Sequence, residues 1–234
     1  MTRTPIVHPV EQTETASAAR LRRIASAHLL DNQLDHNQHG VTAPSLNRAA
    51  MHGRQLIHGG TLRGVRIRTK DSGDTAACVR LVTDIHRTDG YPQPLPADPA
   101  AFVTPSYETV AWVAESDGRI IGHVALHHPA LDPTLQVAQR VTGLSPNRLA
   151  LVARLLVDPT RRRLGVGRQL LAAATGHAAS LGQRAVLDVI RDAGAPIALY
   201  EAAGWIRVDA LTLAVDDGTS LQLWVYLAPT DGHR

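Results

Sequence analysis

An apolar run, a turn with two glycines and a helical pattern follow one another in this chain, and together they constrain its fold most. The run RLALVARLLV at 148–157 is typical of a strand buried on both faces. The next segment, VDPTRRRLGVGRQLLAAA, contains Gly165 and Gly167 and leads into a helix predicted from about Arg168 to Leu181. Such a unit can bind phosphate, because the first helical N–H groups point outward and glycine lets an anion approach the backbone.

This turn lacks the phosphate-binding patterns of two large nucleotide-binding classes. It has no Gly-Lys-Ser/Thr, and Leu170 stands where dinucleotide-binding proteins have their third glycine. The arginines at 161–163 offer another interpretation, a basic patch for nucleic acid. No aromatic residues are interleaved with them and the formal net charge is only +3, so we expect no nucleic-acid partner.

The composition is that of a globular protein, with 44% hydrophobic and 19% charged residues. Cys78 is the only cysteine, so no internal disulfide can form and a reducing compartment suits the chain. The first residues, MTRTPIVHPVEQTETASAAR, contain no apolar leader, and no run approaches the length of a membrane span. We expect a soluble, cytoplasmic protein that has no membrane partner.

The composition changes near residue 60. Residues 1–60 hold half of the twelve histidines and many turn formers, which predicts a weakly ordered extension with a single helix at 15–34. No metal site is predicted there, because the histidines lack cysteines or a second matching pair. The main domain is predicted at 61–229 and is followed by a short tail at 230–234.

Regular patterns in the main domain predict alternating strands and helices. The first part of the domain is predicted to contain a strand at 65–68, a helix capped by Asp74, a proline-rich loop at 89–106 and a hairpin turning at 116–118. A loop containing Pro129, Pro133 and Pro146 then leads to the strand, turn and helix described above. The last part is predicted to contain a strand at 184–190, a helix at 195–203, and strands at 205–213 and 221–227. This order predicts a mixed sheet with helices on its faces.

The spacing Arg162-x-x-Gly165-x-Gly167, directly after LLVDP, resembles the Gln/Arg-x-x-Gly-x-Gly/Ala motif of the GNAT acyltransferase superfamily. Downstream, IALYEAAGW at 197–205 resembles the family's Tyr-x-x-x-Gly-Phe/Trp segment. The resemblance extends from about Val65 to Leu227. It implies an α/β fold of the GNAT type: a central mixed sheet of six to seven strands, with helices on both faces, splayed between the fourth and fifth strands.

The resemblance also implies that the turn binds the pyrophosphate of acetyl-CoA, while main-chain groups of the preceding strand bind the pantetheine arm and the thioester carbonyl. The implied cofactor-binding residues are Leu155, Leu156, Val157, Arg162, Arg163, Leu164, Gly165, Val166, Gly167 and Arg168. The chain departs from the family at Ala193, where many relatives have an asparagine that supports the cofactor and the helix entry.

Tyr200 matches the family tyrosine that donates a proton to the coenzyme sulfur, and a phenol is protonated at neutral pH. His123 is the candidate base, although it can equally be a filler of the sheet surface. Glu108 is a further base candidate, and Asp188, which interrupts an apolar strand, could orient a cationic amine. The candidate acceptor-binding residues are Tyr91, Glu108, His127 and Asp188.

By resemblance, the chain is an N-acetyltransferase that passes an acetyl group from acetyl-CoA to a primary amine of a small molecule or peptide. The amine would attack directly, in a ternary complex. The alternative is a non-catalytic domain that binds acyl-CoA and uses residues 1–60 for regulation or interaction. The expected partners are acetyl-CoA and an amine acceptor, and a homodimer is left open.

Overall fold

The computed structural model describes residues 64–92, 95–128, 132–214 and 220–230. The predicted extension at 1–60, with its helix at 15–34, lies outside the described residues, and so do residues 231–234 of the tail. Among the residues described, every helix is too short or too polar to cross a membrane.

The described residues form strands and helices in an alternating order. The strands are β1 (Arg66–Thr69), β2 (Glu108–Ser116), β3 (Arg119–His127), β4 (Leu149–Val157), β5 (Arg184–Ile190), β6 (Ile206–Ala214) and β7 (Ser220–Leu227). The helices are α1 (Thr75–Asp89), α2 (Pro99–Val103), α3 (Pro133–Thr142), α4 (Val166–Ser180) and α5 (Gly194–Ala202). The strands make one seven-stranded sheet in the order β1-β2-β3-β4-β5-β7-β6. Among its neighbouring pairs, only β4 and β5 run parallel.

Helices cover both faces of the sheet. Successive strand residues point to opposite sides, so a strand with apolar neighbours in sequence presents apolar side chains to helices on each face. Trp112 of β2 belongs to the core cluster that contains Leu170 of α4. Its neighbour Val113 belongs to a second cluster, with Val82 of α1 and Phe102 of α2. The third helix, α3, packs beside β4 and β5 on the same side as α1 and α2. The predicted GNAT-like fold class, a mixed sheet with helices on both faces, is confirmed.

The start of α1 differs in detail from the prediction. The helix buries Cys78, Val82 and Ile85 as its periodicity indicates, and Asp74 occupies the N-cap position. The Asp74 side chain makes no capping hydrogen bond to the helix, however. Its carboxylate instead accepts two hydrogen bonds from the Arg68 guanidinium, at 2.6 and 2.8 Å. Asp74 therefore joins α1 to β1, because a guanidinium pairs with a carboxylate in a two-pronged geometry.

The loop predicted around Pro133 is wrong, because residues 133–142 form α3. The Asp132 carboxylate accepts from the backbone N–H groups of Thr134 (2.8 Å) and Leu135 (3.1 Å), and Pro133 occupies the first turn, where no N–H is needed. Gly143 ends the helix with a φ of +69°. These are ordinary signals for the start and the end of a helix. The prolines on either side of the segment had suggested a continuous loop instead.

Replacing Asp132 with alanine should lower the free energy of unfolding by about 1 kcal/mol, because two N–H groups at a buried helix start lose their acceptor. Urea denaturation of the full chain measures this change. Asp132→Asn is the matched control, since asparagine also caps helices and should stay close to the wild type. Equal stability of Asp132→Ala and the wild type would show that this cap contributes nothing.

The parallel strands β4 and β5 pair only at their beginnings. The pairs are Leu149–Arg184, Ala150–Ala185 and Leu151–Val186. From Val186 onward, β5 also pairs with β7 on its other edge. Among the described strands, none pairs with the β5-facing edge of β4 beyond Leu151, so a wedge opens between the two strands. We call this wedge the strand gap, and it is the predicted splay between the fourth and fifth strands.

Candidate active site

The segment at 158–168, called the glycine turn below, leads from β4 into α4. The Asp158 carboxylate accepts from the N–H of Thr160 at 2.8 Å and shapes the first bend. Arg163 has a φ of +64° and Gly165 a φ of +79°, so two left-handed residues turn the chain into the helix. Gly165 is the N-cap of α4 and offers no side chain to the first helical N–H groups. Those groups have no partner within the helix and attract an anion.

The two positions of the turn require glycine for different structural reasons. Gly165 supplies the left-handed backbone, which a residue with a side chain rarely adopts. At Gly167, an added Cβ would lie 3.3 Å from Cδ2 of Leu199 and 3.5 Å from Cγ2 of Val157. Gly167 therefore lets α4 begin close against α5 and β4.

Side chains of the glycine turn separate into a charged exposed set and a buried anchor. Val166 is buried in the core, whereas Leu164 is 49% exposed. Three arginines of the turn that were predicted to bind the cofactor are also exposed: Arg162, Arg163 and Arg168. Of these, Arg162 donates to the carboxylate of Asp89, the last residue of α1. The turn therefore combines outward N–H groups with several guanidinium groups.

The end of β4 turns its side chains into the core and leaves main chain along the strand gap. Leu155 and Val157 pack against the cluster around α4, and Leu156 is buried against the cluster around α1. One edge of this segment pairs with β3, as in Leu156–His123 and Val157–Gly122. Its other edge faces the strand gap.

Tyr200 of α5 is buried, with 8% of its surface exposed, and its ring lies 6.2 Å from that of Trp205 and 6.1 Å from that of Tyr226. Burial raises the pKa of the Tyr200 hydroxyl well above its usual value, and the nearby Tyr91 and Asp188 raise it further. The phenol is therefore protonated at neutral pH and can donate a proton.

Asp188 and Tyr91 come from different parts of the chain and act on the same phenol. Asp188 lies on β5 beyond its last pair with β4 and accepts a hydrogen bond from the Thr134 hydroxyl of α3. The Tyr91 side chain interacts with Arg154 of β4. Burial raises the pKa of Tyr91, Arg154 lowers it and Asp188 raises it, so both charges act on this hydroxyl. Tyr91 and Asp188 therefore lie close enough to Tyr200 to influence its hydroxyl electrostatically.

His123 is completely buried on β3. Its Nδ1 lies 3.0 Å from the carbonyl oxygen of Arg154, which can only accept, so Nδ1 carries the proton. Its Nε2 is buried and makes no hydrogen bond to any described residue. Burial lowers the pKa of His123 to about 4. This environment disfavours His123 as a base, and the assignment stays a prediction.

The other two predicted acceptor residues, Glu108 and His127, lie on β2 and β3. Glu108 forms a buried ion pair with Lys70, with Nζ 2.7 Å from Oε1. His127 is buried at the end of β3, with its ring 5.0 Å from that of Tyr107 and nearly perpendicular to it. Both assignments stay predictions.

A family comparison agrees with this geometry. The model of the acetyltransferase (GNAT) family matches residues 78–205, more than half of the chain. The chain belongs to the GNAT family. The match covers α1, the strand gap, the glycine turn and Tyr200, so the elements that surround the gap are those of an acyltransferase family that uses acetyl-CoA.

Solved structures show the same fold. The ribosomal-protein-alanine N-acetyltransferase from Brucella melitensis gives a TM-score of 0.54 at 18% identity, covering 70% of this chain and 99% of that one. The protein yncA from Salmonella typhimurium, solved with its cofactor acetyl-CoA, gives 0.53 at 18% identity, covering 73% and 96%. An N-acetyltransferase from Staphylococcus aureus Mu50 gives 0.52 at 19% identity, covering 70% and 96%. No curated protein sequence matches the chain.

The glycine turn of this GNAT chain fits an acyl-CoA diphosphate on its own geometry. Outward N–H groups, a left-handed Gly165 without a Cβ and exposed arginines offer both hydrogen bonds and charge to an anion. The described residues hold no cluster of histidine, cysteine and carboxylate side chains suited to a metal ion. Ala193 is the N-cap of α5 and makes no side-chain hydrogen bond to the helix.

Sequence analysis missed two residues near the strand gap, Arg154 and Thr134. Arg154 is the single charged residue in the apolar run LALVARLLV, which was a usable signal. It is only 5% exposed and has a φ of +55°. Thr134 was hidden because α3 itself was predicted as a loop.

Proposed function

We propose that this GNAT protein is an N-acetyltransferase that transfers the acetyl group of acetyl-CoA to a primary amine of a small molecule or peptide. The amine attacks directly, in a ternary complex. The strand gap is the observation that supports this most, because the anion-binding glycine turn and the protonated phenol of Tyr200 belong to the elements around it. The single cysteine, Cys78, suits a reducing compartment, and we assign the activity to the cytoplasm.

In this proposal, the glycine turn binds the pyrophosphate through the first N–H groups of α4 and through Arg162, Arg163 and Arg168. The main chain of Leu155–Val157 binds the pantetheine arm, and its N–H groups polarise the thioester carbonyl. These groups suit the task because one edge of β4 faces the strand gap. Leu164, Val166 and Gly167 contribute backbone shape.

The chemical step needs a neutral amine and a proton for the thiolate. The amine nitrogen forms the new C–N bond as the C–S bond breaks, and Tyr200 donates its phenolic proton to the departing sulfur. The attacking nitrogen loses one proton, which restores the phenol through solvent. No dedicated base is required, since an amine is partly neutral at any pH. Asp188, held by Thr134, attracts and orients the amine.

The acceptor is proposed to be an amine because of the charge at this end of the site. Asp188 is a carboxylate and Tyr91 a phenol, and both suit a cationic ammonium group as it enters. Two of the structural neighbours are N-acetyltransferases by name, and one of them is named for an alanine of a ribosomal protein. A peptide amine is therefore included beside small amines.

The test is a thiol-release assay with the full chain, acetyl-CoA and a panel of amines. The panel contains spermidine, lysine, an aminoglycoside and peptides with a free N-terminal alanine or serine, each paired with its N-acetylated form as a control. We expect thiol release with at least one free amine, a product one acetyl group heavier, and none with the acetylated partner. Thermal stabilisation by acetyl-CoA without turnover across the panel would favour the non-catalytic acyl-CoA-binding domain instead.

A further inference from the structure

Arg154 is a buried cation on a distorted part of β4. Between the pairs His123–Leu156 and Ala125–Ala153, β4 has one more residue than β3, which is a β-bulge. Arg154 lies within the bulge with a φ of +55°, a conformation that costs free energy for a residue with a side chain. Only 5% of Arg154 is exposed. A strained, buried cation persists where surrounding contacts compensate for it.

Among the described residues, the Arg154 side chain reaches Phe102 and Tyr91, which lie on the face opposite α4. Its Nε donates to the carbonyl oxygen of Phe102 at 3.3 Å, and its Cζ lies 3.8 Å from the centre of the Phe102 ring. Its guanidinium also interacts with the Tyr91 hydroxyl and lowers the pKa of that phenol, and Tyr91 packs on the same cluster as Phe102. One side chain of β4 therefore holds both the end of α2 and the start of the proline-rich segment that precedes it.

A second cation holds the same end of α2. Nζ of Lys70 donates to the carbonyl oxygen of Val103 at 2.6 Å and pairs with Glu108 at 2.7 Å. The last carbonyl groups of a helix lack partners within it, and α2 finds them in Arg154 and Lys70. The two cations differ in one respect. Arg154 also interacts with Tyr91 and lies next to Leu155, where the proposed acetyl-binding backbone begins.

We propose that Arg154 is a positioning residue for the acceptor, holding Tyr91 and α2 against the bulge of β4 and thereby fixing the wall of the acceptor site. This inference rests on the proposed function, which identifies the acceptor as an amine. It assigns Arg154 no contact with the pyrophosphate, since α4, whose first N–H groups would bind that group, packs on the other face of the sheet from α2. Arg154 should therefore govern acceptor binding and leave acetyl-CoA binding unchanged.

The kinetic test compares Arg154→Lys, Tyr91→Phe and the control Arg207→Lys. Lysine keeps the charge but loses the planar fork, and Tyr91→Phe removes a single hydroxyl. Arg207 also lies over an aromatic ring, 4.6 Å from the centre of Trp224, and is exposed. With the panel amine of highest kcat/KM, we expect the acceptor KM to rise about tenfold in Arg154→Lys and about threefold in Tyr91→Phe. The KM for acetyl-CoA should change less than about twofold in all three variants.

A second readout is independent of any acceptor. Hydrogen–deuterium exchange of the full chain should be faster at 99–104 in Arg154→Lys and Tyr91→Phe, and unchanged at 166–180. If no panel amine is acetylated, this measurement still decides whether Arg154 holds α2, so the two proposals fail separately. Tyr91→Phe covers the case in which Arg154→Lys does not fold. Unchanged exchange at 99–104, or an acetyl-CoA KM that rises as much as the acceptor KM, overturns the proposal.

Discussion

Replacing Tyr200 with phenylalanine is expected to lower kcat by about 100-fold while leaving the Kd for acetyl-CoA within about twofold. The variant keeps the ring that packs near Trp205 and Tyr226 and removes only the proton donor. Because burial raises the pKa of the hydroxyl, the wild-type phenol holds its proton at neutral pH. Steady-state kinetics with the panel amine, together with calorimetric titration of acetyl-CoA, measures both quantities.

Tyr226 provides the matched control for this prediction. It is completely buried with its ring 6.1 Å from that of Tyr200, but its hydroxyl donates to Glu201 at 3.1 Å. Tyr226→Phe therefore also removes one phenolic oxygen, from a neighbouring ring of the same aromatic cluster. It should change kcat less than about threefold. If Tyr200→Phe behaves like Tyr226→Phe, Tyr200 is a packing residue and the proton must come from water.

Local patterns predicted most elements of this fold because each carries its own periodicity and boundaries. The strand predicted at 184–190 has the same bounds in the structure, and the helix predicted at 168–181 forms at 166–180. The missed helix, α3, shows the limit of the method, since prolines before and after it suggested a loop. Its capping residues, Asp132 and Gly143, were visible in the sequence.

Sheet order is a different kind of information from element order. The order β5-β7-β6 places the last strand inside the sheet, beside a strand far from it in the chain. No local pattern encodes such a pairing. The sequence accordingly predicted a mixed sheet but no strand order. The strand gap between β4 and β5 was predicted, but only because the motifs around Gly165 and Tyr200 resemble those of a known family.

The candidate site divides in the same way. The glycine turn is one contiguous segment, and Tyr200 belongs to a short motif. The sequence alone therefore indicated both. Arg154 was not found, because its importance comes from a bulge and from contacts to Phe102 and Tyr91, which are distant in the chain. Glu108 was predicted as a base from its place near a strand start, and its ion pair with Lys70, which is distant in the chain, is a contact that no sequence pattern indicated.

Replacing Gly165 with valine is expected to raise the Kd for acetyl-CoA by about 10- to 100-fold, the loss of one or two charge-assisted hydrogen bonds. The φ of +79° at Gly165 is a genuine outlier for a β-branched residue, so the turn must change shape and move the first N–H groups of α4. A side chain would also stand beside those N–H groups, where an anion approaches. Titration of acetyl-CoA into the full-length variant measures the change.

Strain alone could also weaken binding by loosening the fold, and Gly143→Val separates the two effects. Gly143 has a φ of +69°, nothing lies within 4 Å of its missing Cβ, and it ends α3 away from the glycine turn. Its valine variant suffers a similar backbone cost of about 1–2 kcal/mol but leaves the α4 N-terminus intact. Both variants should lose stability to urea, and only Gly165→Val should lose acetyl-CoA. Equal affinities in the two variants would remove the glycine turn from the cofactor site.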